Sequence, residues 1–278
     1  MIIPGFDVDA FVRATLAEDL GEGGDITSNA CIPADARLSA TLTARDAISV
    51  AGLPLAARFF RMLDPQVECD DLIKDGTSVA AGTALMGVSG NARALLAAER
   101  SALNTLQHLC GIATITRQYV DLIAGTGCTL LDTRKTLPGL RMLEKYAVRM
   151  GGGTNHRLRL DDQPMVKDNH IAAAGSISAA VSACKQAGLT QITVEVDHLD
   201  QIEPAILAGA DRLLLDNMPP LMLREALSLV AGRVPTEASG GVRLDTIRAI
   251  AETGVDFISV GRLTQSAPAA DIGMDFAA

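Results

Sequence analysis

The second half of the chain alternates short apolar runs with longer amphipathic stretches, and each run ends in a polar or small residue. The runs are TLLD (129–132), PMVK (164–167), ITVEV (192–196), RLLLD (212–216), PTEAS (235–239) and FISVG (257–261). Their polar ends fall at Asp132, Lys167, Glu195, Asp216, Ser239 and Gly261; from Lys167 onward these recur at intervals of 28, 21, 23 and 22 residues. That is the length of a strand plus a helix, and near-continuous apolar strands are what a parallel sheet covered by helices requires. Segments such as 177–188 and 200–210 carry helical spacing and stop at Gly188 and Gly209. Six or seven such units predict a (β/α) barrel, in which the carboxyl ends of the strands converge on one mouth.

The first hundred residues follow another pattern. Residues 36–52 alternate as strands do, 53–63 read as a helix, and 75–90 as a turn-rich pair of strands. A long helical pattern, 91–111, places Leu95, Leu103, Leu106 and Cys110 on one stripe, with Glu99 inside it and Arg100 on its flank. Charges so placed are costly unless paired, so they form an ion pair or face a ligand or a second subunit.

The net charge of −9 argues against nucleic acid or an acidic membrane surface as partner. The charge is uneven. Between Arg134 and His170, eight lysines and arginines face four acidic residues, a local +4 that leaves −13 on the rest. A cationic patch in an acidic protein suggests a small anion. The opening MIIPGFDVDAF lacks a basic segment followed by an apolar stretch, so no signal peptide is expected. The five scattered cysteines have no metal-ligand or redox spacing and read as reduced, mostly buried thiols of a cytoplasmic protein.

The chemistry concentrates after the first barrel strands. Arg134 and Lys135 follow a strand end; a guanidinium matches a carboxylate with a planar fork, and an ammonium supplies a point charge. GGGTNHR adds His156 and Arg157 to glycines that permit close backbone approach, and Lys167 ends the next strand. Glu195 and Asp216 bring carboxylates suited to Mg²⁺, or to pairing with the lysines. Ser239, Gly240 and Gly241, with a similar turn at Gly261, are placed where late barrel loops hold phosphate ahead of a helix N-terminus.

The strings DTRKTLPGLR, EKYAVRMGGGTNHR, VKDNHI, LLLDN, EASGGV and DFISVGRLTQSAPAADIGMDF, with EDLGEGGDITS and AERSALNTLQHLCGIAT upstream, resemble quinolinate phosphoribosyltransferase from about residue 18 to the end. The resemblance implies an α/β fold: an incomplete (β/α) barrel over 111–266, an N-terminal α/β sandwich domain over 1–110, and a C-terminal segment, 267–278, returning to that domain. It implies transfer of a phosphoribosyl group from phosphoribosyl pyrophosphate to quinolinate with decarboxylation, with Mg²⁺ as the only cofactor. It implies a homodimer, assembly beyond the dimer being left open. It assigns the quinolinate carboxylates to Arg134, His156 and Arg157, with Arg100 reaching in from the neighbouring subunit. Thr133, Lys135 and Lys167 line the reacting centre, Glu195 and Asp216 lie by the ribose and Mg²⁺, and Ser239–Gly241 with Gly261 take the 5′-phosphate. Met150 stands where the family pattern has cysteine. A molybdenum-transport-associated branch of the same fold is the alternative; there the lysine of the K-D-N-H motif is replaced, whereas Lys167 is present here.

Overall fold

The computed structural model describes residues 3–276. In chain order its strands are β1 (Arg37–Ala44), β2 (Ile48–Ser49), β3 (Glu68–Asp71), β4 (Ser78–Val79), β5 (Ala84–Asn91), β6 (Thr129–Leu131), β7 (Met165–Val166), β8 (Thr193–Val196), β9 (Arg212–Asp216), β10 (Thr236–Ser239), β11 (Phe257–Ser259) and β12 (Ile272–Phe276). Contacts divide the chain into two units.

The first unit comprises the residues up to Arg117, Met142–Gly152 and those from Ser266 on. Its main sheet is antiparallel, in the order β12-β1-β5-β3, so the last strand pairs with the first. The helix Leu53–Leu63 buries Leu55, Phe59 and Phe60 completely; burial of each such side chain stabilises by about 1.5–3 kcal/mol. Its first amides are satisfied by Asp75, whose carboxylate accepts from the backbone N–H of Gly52 (2.8 Å) and Leu53 (3.1 Å). Gly52 has φ +104°, and a Cβ there would lie 2.8 Å from Leu109 Cδ1, so no other residue fits. The helix Ala92–Leu122 buries the stripe expected of it, Leu95, Leu103, Leu106 and Cys110. Glu99 is half-buried and Arg100 exposed, 3.8 Å apart, so the flank of the stripe is solvated.

The second unit comprises Gln118–Arg141 and Gly153–Gln265. Met142–Gly152, inside the range expected for the barrel, clusters with the first unit instead. Six parallel strands run in the order β6-β11-β10-β9-β8-β7. From β7 to β11 each strand pairs with the next in sequence, and β11 pairs with β6. The circle is therefore open only between β6 and β7. Next to β6 there is a single parallel bridge, Leu131 to Thr154, with Thr154 N–H donating to the Leu130 carbonyl and Asp132 N–H to that of Thr154. Helices cover the strands and stop where glycine permits a left-handed turn, as at Gly175 and Gly209, both at φ +89°.

Candidate active site

Period-two alternation decides which side chains enter the barrel. In β8 these are Thr193 and Glu195, in β9 Arg212, Leu214 and Asp216, in β10 Glu237 and Ser239, and in β11 Phe257 and Ser259. The register Ser239↔Asp216, Glu237↔Leu214 and Glu195↔Leu214 makes rows across the sheet. These residues and the loops after β6 and β7 surround a cleft of about 400 Å³. Thr133, Arg134, Lys135, His156, Arg157, Lys167, Glu195, Asp216 and Ser239 all border it.

Arg134 and Arg157 lie close together. The Arg157 guanidinium is held below its ordinary pKa, first by burial and then by the charge of Arg134, with Asp162 and Glu195 opposing. Arg134 Nε is buried and has no hydrogen-bond partner. Two crowded cations and an unsatisfied donor describe a seat for an anion.

Lys167 Nζ contacts Glu195 Oε2 directly, so this carboxylate pairs with a lysine, one of the two roles open to it. Asp216 accepts from the Asn217 side-chain amide. Its carboxyl is pushed above the usual range by burial and by nearby Asp197, against the pull of Lys167, Lys135 and Ser239. Lys135 is fixed through its backbone: its N–H donates to Thr133 Oγ1 (3.0 Å) and its carbonyl accepts from Thr264 Oγ1 (2.7 Å). Gly261 packs against its stem, where a Cβ would come within 2.8 Å of Lys135 Cδ.

The turn at Gly240 and Gly241 requires glycine. Gly240 has φ +89°, and a Cβ would lie 2.1 Å from Asn217 Oδ1. This turn borders a neighbouring hollow of about 390 Å³ with Asn217, Asp245 and Thr246. The helix expected directly after it begins only at Ile247, because Arg243 and Thr246 first close a turn of their own. Arg100 lies in the first unit. Of the cysteines, only Cys110 is buried and Cys31 is exposed, which corrects the expectation of mostly buried thiols. Burial pushes the Cys110 thiol up to about 12, so it stays protonated.

Sequence reasoning gave no role to two groups beneath the cleft. Asp132, fully buried at the end of β6, accepts from His156 N–H (2.8 Å) and from Asn155 Nδ2 (2.6 Å). Glu237, fully buried in β10, lies 3.3 Å from both His156 Nε2 and Arg212 Nη1. Burial raises its pKa, but His156, Ser259 and Arg212 outweigh that and hold it below the usual carboxylate range. The available signal was its place two residues before Ser239, on the same face of the strand.

The chain matches the quinolinate phosphoribosyl transferase C-terminal domain over residues 112–275 and the N-terminal domain of the same family over 25–110. It belongs to that family. It is 44% identical over 276 residues to a probable nicotinate-nucleotide pyrophosphorylase [carboxylating] of Synechocystis sp., covering 98% of this chain and 93% of the relative. A probable enzyme of the same name from Bacillus subtilis is 44% identical over 260 residues, with 93% and 89% covered. The solved nicotinate-nucleotide pyrophosphorylase of Francisella tularensis superposes with a TM-score of 0.93 at 40% identity, over 100% of this chain and 99% of that one. The Ehrlichia chaffeensis structure gives 0.94 at 38% identity, over 98% and 100%. The quinolinate phosphoribosyltransferase motifs of this chain thus sit on the matching fold.

Proposed function

We propose that this chain transfers the phosphoribosyl group of phosphoribosyl pyrophosphate to quinolinate, releasing pyrophosphate and CO₂ and leaving nicotinate mononucleotide for NAD synthesis. The observation that carries the reading is the anion seat: Arg134 with its unsatisfied buried Nε beside Arg157. A pyridine dicarboxylate supplies an acceptor for the unsatisfied Arg134 Nε and a counter-charge for both guanidiniums. Lys135 and Lys167 border the same cleft and favour negative charge on both substrates. The ring nitrogen attacks C1 of the ribose as the C1–O bond to pyrophosphate breaks, and a carboxylate at the strand ends favours the positive charge that develops on the sugar. The alkylated nitrogen then draws the electron pair left at C2 as CO₂ departs. A proton replaces the carboxylate.

Glu195 and Asp216, hard oxygen donors on adjacent strands, suit Mg²⁺, which needs only one or two protein carboxylates beside substrate phosphates. Burial, and then the charge of Asp197, raises the pKa of Asp216 in spite of Lys167 and Lys135, so a further cation there would favour its charged form. When bound, the ion would supply charge neutralisation for the leaving pyrophosphate. Incubation with quinolinate, phosphoribosyl pyrophosphate and Mg²⁺ tests the reading: nicotinate mononucleotide and CO₂ should appear together and stop on addition of a chelator. Folded protein that forms no mononucleotide would refute it.

The exposed, weakly tethered Arg100 supports a homodimer with shared sites. Arg100→Ala and Lys167→Ala should each be nearly inactive alone. Unfolded and refolded together in equal amounts, they should regain about a quarter of the sites, since half the dimers are mixed and each mixed dimer has one intact site. Mixed dimers as inactive as the separate variants would place Arg100 outside catalysis in trans.

A further inference from the structure

The deepest charged residue bordering the cleft is absent from every role assigned above. Glu237 lies one strand repeat below Ser239, about 6.6 Å deeper in the barrel, and its side chain is wholly buried. A lone carboxylate there would be strongly disfavoured. Two cationic or polar partners converge on its Oε2, Arg212 Nη1 and His156 Nε2, each at 3.3 Å. Arg212 is held independently, its guanidinium 4.2 Å from the centre of the Phe257 ring.

The other face of the His156 ring fixes its protonation state. The backbone N–H of Arg157 donates to His156 Nδ1 at 2.6 Å, so Nδ1 carries a lone pair and the ring proton sits on Nε2, which stands 3.3 Å from Glu237 Oε2 as an ion-pair contact and not as an aligned hydrogen bond. His156 N–H is itself held by Asp132. The segment Asn155–Arg157, which lies where the circle of strands is open, is thereby fastened from two sides by buried carboxylates. Arg157, one of the two crowded guanidiniums, leaves directly from that fastening, and its Nη1 is steadied further by the Gln163 carbonyl at 3.0 Å.

We infer that Glu237 is a positioning residue for quinolinate: its carboxylate, held by Arg212, anchors the Nε2–H edge of the His156 ring and so delivers Arg157 to the anion seat. The inference rests on the proposed function for the identity of the anion, but its geometry does not. An amide at 237 keeps the shape but removes the charge that anchors the ring.

The test is histidine-selective ¹⁵N NMR of the whole protein, which has only four histidines, so a His156 variant assigns the signal. The unaltered protein should show a single Nε2–H tautomer for His156. A ring protonated on Nδ1, or one exchanging between tautomers, overturns the inference without any variant having to fold. In Glu237→Gln the ring should stay protonated on Nε2, its Nε2 signal should shift and the Kd for quinolinate should rise about tenfold, while the Kd for phosphoribosyl pyrophosphate stays within about twofold on the same scale. Arg212→Met removes the other cation and leaves the ring pair, so it should lower the melting temperature yet keep the His156 signature. Equal weakening of both substrates in Glu237→Gln, or loss of the signature in Arg212→Met, would reduce Glu237 to a structural ion partner. Quinolinate binding and ring state are read without turnover, so absence of product refutes the functional reading alone.

Discussion

Each unit buries charge, and the two do so in opposite ways. In the first, Glu144 and Lys145 are almost inaccessible, and Glu144 Oε1 lies 2.9 Å from His108 Nε2. In the second, Glu195, Asp216, Arg134 and Arg157 border an open cleft, with a donor unsatisfied and two pKa values displaced toward the neutral form. A buried charge whose partners lie within its own unit stabilises architecture. A buried charge that keeps an unsatisfied donor, as Arg134 does at Nε, waits for a ligand.

Substitutions in each set should separate stability from activity. The largest effect is expected from Glu144→Ala: leaving His108 without this buried carboxylate should cost about 3–5 kcal/mol of unfolding free energy. Chemical denaturation reads this, and the Kd values of the protein that remains folded should not move. A loss of substrate affinity without a loss of stability would erase the distinction. Next, Lys167→Ala should lower kcat by about 10²–10³-fold through lost charge stabilisation in the transition state, with a melting temperature near that of the parent. A large drop in melting temperature would make the Lys167–Glu195 pair architectural. The smallest of the three is Arg134→Lys, which keeps charge but loses the planar fork. Calorimetry should show quinolinate binding weakened by about 1.5–3 kcal/mol and phosphoribosyl pyrophosphate unaffected; the reverse pattern would reassign the residue.

The parallel strands were legible because each couples an apolar run to a chemically distinct end. The runs ending at Lys167, Glu195, Asp216 and Ser239 coincide with β7, β8, β9 and β10, and their terminal residues reach one cleft. The first unit was less legible. Residues 75–90 do contain two strands, but β4 pairs with β2 and β5 with β1, a choice set by distant partners and not by local pattern. The helix Val8–Leu20, with its weak segregation of apolar residues, and the charged strand β3 gave no readable signal. Within the site, Asp132 was read only as a strand end and Glu237 was given no role, because their function comes from contacts with His156 that lie 24 and 81 residues away in sequence. Met142–Gly152 illustrates the same limit: a helix of barrel-like sequence position takes its contacts from the first unit.

The open place in the circle of strands has a mechanical consequence. A full ladder between neighbouring strands resists separation along its whole length, because its hydrogen bonds break together. Between β6 and the segment carrying Thr154 there is only one bridge, backed by side-chain bonds from Asp132 to Asn155 and His156. Those attachments yield one at a time. Opening there is the least costly large fluctuation of the second unit, and native-state hydrogen exchange should find the amide of Thr154 exchanging sooner than those of Leu214 and Ala238, which lie inside continuous ladders. Continuous ladders hold the strands that carry Glu195 and Asp216, and single attachments hold the seam, so those two carboxylates keep their register when the seam gives.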